Sequence, residues 1–212
     1  MLVEQRSEEW FQLRRGKITS SELHKIMGEK GLTETAKTYL LEKACEHFGG
    51  VTEPAHGQAL DWGTELEPVA IEHYERVTST KVDKASFIAF NEYYGGSPDG
   101  LVKPKGVIEV KCPFKSANHF KHGLIDSPVK FKKVAPNYYY QCISNMICAE
   151  ASWCDFISFD PRVSSDYQMF IYRLELDKEE VKLIKERIGL AIEYMEGLKE
   201  EIKQAKPKLL LG

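Results

Sequence analysis

A chain of 212 residues with 42% hydrophobic content and a formal net charge of -3 can bury a sizeable core, which excludes a disordered polypeptide. No apolar run approaches the roughly 20 residues that cross a bilayer, and Met1–Arg6 lacks a leader-like apolar stretch, so a cytoplasmic location is expected. The five cysteines (Cys45, Cys112, Cys142, Cys148, Cys154) contain no C-x-x-C pair and argue against a disulfide framework; they read as reduced core thiols, with an iron–sulfur site on Cys142, Cys148 and Cys154 as the alternative.

In chain order, Ser7 caps a short helix carrying Trp10, Phe11 and Leu13, with Glu8 and Glu9 in its first turn and Gly16 at its end. Thr19, Ser20 or Ser21 caps a second helix with Leu23, Ile26 and Met27 inside, stopped by Gly28. Thr33 opens a third, in which Ala36, Tyr39, Leu40, Ala44 and Phe48 recur at helical spacing before Gly49-Gly50. A fourth runs from about Ala59 to Thr78. The pattern then turns to short strands at Ser86–Phe90, Tyr93–Gly96, Gly100–Val102 and Val107–Lys111, which read as an antiparallel meander. Helices are expected at Ser116–Gly123 and Pro136–Ala149, the latter with proline in its first turn. Strands Ser152–Phe159 and Tyr167–Leu176 flank an Asp160-Pro161 turn, and a charged helix from Lys178 to about Gln204 follows. This order predicts a mixed α/β fold, a small mixed sheet with helices on both sides. One domain over residues 1–212 is expected: N-terminal helices (7–79), a sheet core (86–176) and the final helix (178–204).

The most chemically loaded stretch is Gly96 to Phe114. Asp99 sits at the tip of a turn, and Glu109 and Lys111 stand two apart on the next strand. Alternation puts Glu109 and Lys111 on one face, with Ile108 and Val110 on the other. Two carboxylates and an ammonium in one cluster suit an oxygen-ligated divalent metal that hydrolyses a phosphodiester. Asp99, Glu109 and the Val110 carbonyl are the candidate metal ligands, and Lys111 can orient or deprotonate water. Glu67, near the buried side of the fourth helix, and Gln141, early in the sixth, are candidate supporting groups.

Charge distribution points the same way. From Lys103 to Lys133 there are eight lysines against two acids, a locally basic face suited to a polyanion. The segment Leu13–Glu22 combines guanidinium groups, hydroxyls and a helix start, which is a phosphate pocket or simply a cap. The six histidines form no H-x-x-x-H or comparable pair, so zinc is not expected. No nucleophile elbow or P-loop occurs.

These segments together resemble the YqaJ-like viral recombinases, the group of phage lambda exonuclease, which are restriction-endonuclease-like nucleases with a P-D…(D/E)-x-K core. That core matches Pro98-Asp99…Glu109-Val110-Lys111, followed by Cys112-Pro113-Phe114. An N-terminal W-x-x-L-R-x-G-x-I-T-x-S-E pattern matches Trp10, Leu13, Arg14, Gly16, Ile18, Thr19, Ser21 and Glu22; W-G-x-x-x-E matches Trp62, Gly63 and Glu67. Tyr138 with Gln141 and the Asp160-Pro161-Arg162 turn complete the set.

The resemblance implies a restriction-endonuclease-like core and a Mg²⁺-dependent exonuclease, with Mn²⁺ as a substitute and one or two ions per site. Such an enzyme digests one strand of linear double-stranded DNA from its 5′ end and leaves a 3′ tail. It implies a homotrimeric ring and a single-strand annealing protein as partner. By motif match, Arg14, Ser21 and Ser97 would hold the 5′-phosphate, and Glu67 and Gln141 would support the metal site. A sequence- or structure-specific endonuclease with the same core, or a non-catalytic DNA-end-binding scaffold, are the alternatives. After Gln141 comes Cys142-Ile143-Ser144-Asn145 rather than a second glutamine two residues on, a departure from the phage enzyme.

Overall fold

The computed structural model describes residues 3–51 and 57–205; Met1 and Leu2, on which part of the leader reading rests, lie outside them. The helices are α1 (Glu8–Arg14), α2 (Glu34–Glu46), α3 (Gln58–Thr78), α4 (Ser116–Gly123), α5 (Pro128–Val134), α6 (Pro136–Cys148) and α7 (Lys178–Gln204). The strands are β1 (Ile18–Thr19), β2 (Ile88–Ala89), β3 (Tyr94–Gly96), β4 (Gly100–Val102), β5 (Gly106–Lys111), β6 (Trp153–Phe159) and β7 (Met169–Glu175). Caps start several helices, those at Ser7 and Thr33 as the sequence predicts. Ser7 Oγ accepts from the Trp10 N–H, Thr33 from Ala36, and Asp177 from both Glu179 and Glu180.

The predicted meander forms only in part: β2 pairs antiparallel with β3 and β4 with β5, but β3 and β4 do not pair. Strands order as β4-β5-β6-β7 in one sheet and β1-β3-β2 in another. β4 pairs antiparallel with β5, but its other edge is taken by Asp83, which exchanges both backbone hydrogen bonds with Leu101 at 2.8 Å. β3 is filled on both sides, parallel to β1 and antiparallel to β2. Tyr94–Gly96 and Gly100–Val102 therefore never meet. The second predicted helix is a 3-10 helix, Ser20–Ile26. α5 was not expected: Phe131 is its one buried residue, so Pro128–Val134 carries no helical period, although Ser127 capping Lys130 and Pro128 in the first turn are start signals.

The parallel β5–β6 pair is the centre of the larger sheet. On one face Val107, Cys154 and Phe156 pack with Cys142, Ile143 and Met146 of α6. On the other, Ile108, Val110, Ile157 and Phe159 pack with Ala70 and Tyr74 of α3. The buried Asp155 of β6 fastens α3 to this sheet, accepting from Tyr74 Oη at 2.7 Å and from the Arg173 fork at 2.7 and 2.8 Å. α7 lays Ile184, Ile188, Ala191 and Met195, spaced as one helical stripe, into the core that includes α2. Gly96 has no room for a side chain: a Cβ there would stand 2.3 Å from Ser20 Oγ and 2.6 Å from Asn145 Oδ1. The packing of β3 beneath α6 depends on that glycine.

Four of the cysteines are buried and Cys45 is exposed; all are free thiols. Cys142 hydrogen-bonds Cys154, whereas Cys148 turns to Tyr94 and Ser20, so the three do not converge. His119 and His122, which form no metal-binding motif in the sequence, come together in the fold. They share Ser158 rather than a metal. His119 Nε2–H donates to the Tyr167 carbonyl at 2.7 Å, so its Nδ1 accepts from the Ser158 hydroxyl at 2.9 Å, and that hydroxyl accepts from His122 Nδ1–H at 3.0 Å.

Burial, helped by the neighbouring His119 ring and the Lys111 ammonium, pulls His122 down to about 4. Its folded pKa lies below the unfolded value near 6.5, so its contribution is complete above about pH 6.5 and is lost as pH falls through about 4. The loss amounts to about 3 kcal/mol. Urea denaturation across this window is expected to show the wild-type midpoint dropping with acid, and His122→Gln giving a flatter profile.

Candidate active site

Glu109 and Lys111 face α6 because Ile108 and Val110 are drawn to the apolar face of α3. Asp99, just ahead of β4, donates its N–H to the Ile108 carbonyl at 3.1 Å and accepts the Val110 N–H on Oδ2 at 2.7 Å. These two bonds seat it beside Glu109. The Lys111 ammonium pairs with Glu109 Oε1 and lies 5.1 Å from the centre of the Tyr138 ring. Glu109 is 0% exposed, and its Oε2 accepts from Asn145 Nδ2 at 2.8 Å. The three side chains singled out in the sequence thus converge.

Their electrostatics are those of a site short of positive charge. Burial, and then the charge of Glu109, hold the Asp99 carboxyl well above the usual range. Burial raises Glu109 as well, outrunning the ion pair with Lys111. Burial works against charging Lys111, but Glu109 and Asp99 outweigh it and leave the ammonium more strongly protonated than usual. The donors are hard oxygens and the surplus is negative, which fits a divalent cation such as Mg²⁺. Among the described residues no three His, Cys, Asp or Glu side chains are grouped to hold a metal. A bound ion would therefore lean on Asp99, Glu109, the Val110 carbonyl, water and substrate phosphate, the ligation habit of Mg²⁺. Cys112, next in the chain, is pushed up to about 12 by burial and the charge of Glu67, and stays an unreactive thiol.

Asp99, Val110 and Lys111 open onto a cleft of about 850 Å³. Glu67 and Gln141 line the same cleft, as does a second polar cluster. There Arg14 donates to Ser97 Oγ at 3.3 Å and to Ser21 Oγ at 3.4 Å, with its guanidinium 4.0 Å above the Trp10 ring. Trp10 Nε1–H also donates to Ser97 Oγ, at 3.1 Å. Burial pulls the Arg14 guanidinium down to about 10, which leaves it charged at neutral pH. A partly desolvated guanidinium among hydroxyls is suited to an anion.

All nine positions named from the sequence alone or by motif lie in or directly beneath this cleft, with Glu109 underneath it. The basic stretch is only partly gathered. Lys111, Lys115 and Lys121 line the cleft, whereas Lys103 pairs with Asp83, Lys130 with Asp126 and Lys132 with Glu180. Sequence reasoning missed Asn145 as the partner of Glu109 and Gln5 and Arg6 at the rim, and it matched Tyr138 by motif without its contact to Lys111. Asn145 stands four residues after Gln141 on the same helix, which puts both on one side of α6, but nothing in that spacing points to Glu109.

Residues 9–152 match the model of the YqaJ-like viral recombinase domain. The chain belongs to this family. Among the curated proteins there is no significant match. Among solved structures, the YqaJ-like chain is similar to an alkaline exonuclease from Laribacter hongkongensis, with a TM-score of 0.81 and 32% identity over 93% of this chain and 97% of that one. The same enzyme in complex with dAMP matches equally well. A phage-related exonuclease from Haemophilus somnus 129PT matches with a TM-score of 0.73 and 22% identity, over 88% of this chain and 96% of that one, a likeness of fold. The mixed α/β fold with the restriction-endonuclease-like core expected of YqaJ-like proteins is the one found here. Among the described residues no helix is long and apolar enough to cross a membrane.

Proposed function

We propose that this protein is a Mg²⁺-dependent exonuclease that degrades one strand of linear double-stranded DNA in the 5′→3′ direction from a 5′-phosphorylated end. The observation that carries this reading is the Arg14–Ser21–Ser97 cluster in the same cleft as Asp99 and Lys111. A separate anion pocket beside a hydrolytic centre suits an enzyme that holds a terminal phosphate while cutting the next linkage. The exonuclease name and the dAMP complex of the Laribacter enzyme support it.

One or two divalent ions, held by Asp99, Glu109 and the Val110 carbonyl, would neutralise the scissile phosphate and acidify the attacking water. Lys111 orients that water and steadies the charge that develops on phosphate. Asn145 and Lys111 fix the Glu109 carboxylate, and Glu67 and Gln141 support the site from the cleft wall. Arg14, Ser21 and Ser97 register the end. A 3′ single-stranded tail for phage-type recombination, a homotrimeric ring and an annealing-protein partner belong to the same proposal.

The test is digestion of linear duplex carrying 5′-phosphate or 5′-hydroxyl ends, with closed circles alongside. Wild type is expected to release nucleotides from phosphorylated ends and spare circles. Arg14→Gln is expected to lose about tenfold or more of its preference for phosphorylated ends, the worth of one charged hydrogen-bond set. Equal cutting of circles would instead make the protein an endonuclease. End binding without nucleotide release in Mg²⁺ or Mn²⁺ would make it a scaffold.

A further inference from the structure

Arg6 sits at the cleft rim with φ of 68°, the left-handed region that L-residues avoid. Holding a non-glycine residue there costs about 1–2 kcal/mol. The chain is pinned beside it: Gln5 Nε2–H donates to the carbonyl of Pro98, just ahead of Asp99, at 2.8 Å and to the Ala85 carbonyl at 3.4 Å. From this perch the Arg6 guanidinium crosses to α3 and pairs with Glu67 at 2.7 Å. The Arg6 side chain is 42% exposed, and an ion pair that open to solvent contributes about 0–1 kcal/mol. The pair does not recover the backbone cost, so glycine would serve the fold as well or better. Arginine at this position therefore calls for a use other than stability.

Resting on the nuclease reading above, we propose that Arg6 grips a backbone phosphate of the strand being cut, and that Glu67 holds it in reserve while the cleft is empty. Arg6 lines the same cleft as Asp99, Lys111, Arg14 and Ser97. Paired, the two side chains are neutral, and Glu67 does not repel an incoming polyanion. A backbone phosphate offers its two non-bridging oxygens to the same guanidinium fork and arrives with the summed field of the neighbouring phosphates, so it competes with the single carboxylate for Arg6. The exchange frees the Glu67 carboxylate to act on the reacting groups only after DNA is in place.

The test is fluorescence anisotropy with a blunt, 5′-phosphorylated duplex in EDTA, where nothing is cut, over a series of salt concentrations. Arg6→Gln is expected to weaken binding about fivefold to tenfold and to flatten the dependence of log Kd on log salt by about one unit, the signature of one lost phosphate contact. Glu67→Gln, which releases the guanidinium, is expected to tighten binding, and the double variant to lose that gain. Arg6→Gly, suited to the backbone, is expected to melt at or above the wild-type temperature and still bind weakly, which separates grip from folding. Unchanged affinity and salt slope in both Arg6 variants would overturn the proposal and leave a mere structural clasp. Nucleotide release by wild type from the same duplex in Mg²⁺ is scored separately: its absence defeats the nuclease reading, whereas its presence with unaltered Arg6 variants defeats only this one.

Discussion

Asp99→Asn is expected to abolish nucleotide release and, at the same time, to make the metal-free protein more stable. The catalytic loss should reach about 10³-fold or more, since on the proposed reading one of the carboxylates that would hold metal is removed, which forfeits several kcal/mol of transition-state stabilisation. The gain in stability follows from where Asp99 sits. Burial, then the charge of Glu109, raise its folded pKa well above the usual range. A carboxyl of this kind gives up its proton more readily in the unfolded chain, so its contribution is intact at low pH and is lost as pH rises from about 3.9 through the folded value. Asparagine keeps an oxygen for the Val110 N–H bond and carries no charge. The melting temperature in EDTA should therefore rise relative to wild type, by about 2–4 °C for each kcal/mol, and the gap should widen from pH 5 to pH 8. Added Mg²⁺ should raise the wild-type value and leave the variant nearly unmoved. A variant that melts below wild type at pH 8 without metal would show that the buried carboxylate is not under strain.

Lys111→Met is expected to lose activity on a comparable scale and to move stability the other way. Glu109 is fully buried, and the Lys111 ammonium is its charge partner. Truncating one member of a buried pair strands the other, which costs about 3 kcal/mol at neutral pH. Without the lysine, the Glu109 pKa climbs further. The deficit should then shrink as acid restores the carboxyl proton and grow as pH rises. Urea denaturation at pH 5 and pH 8 checks the sign. Two substitutions in one cluster, equal in their effect on catalysis and opposite in their effect on stability, distinguish a buried cluster with surplus negative charge from an ordinary surface salt bridge.

Much of the centre was legible because strand alternation is local. Glu109 and Lys111 share a face wherever β5 lies, and two hydrophobic neighbours tell which face is polar. Helix starts at Ser7 and Thr33 were legible for the same reason, since a cap answers only to the next three N–H groups. The sheet was not. Which edge Gly100–Val102 offers to a partner was decided by Asp83, a lone residue with no strand pattern around it. Nor was Asn145 visible as the clamp on Glu109, because a helix residue 36 positions away reaches that carboxylate only after α6 lies across β5. Arg6 gave no signal at all, as its meaning comes from a left-handed backbone and a partner on α3.

The sequence by itself therefore determined the chemical kit: hard-oxygen donors beside a lysine, and a guanidinium among hydroxyls. Only the tertiary structure decided that the two sets share one cleft, that Glu109 is sealed beneath it rather than lining it, and that Arg6 leans on Glu67. The physical reason is reach. Side-chain periodicity and capping act over a few residues, whereas burial, charge coupling and strand-edge pairing depend on which distant segments exclude water from one another.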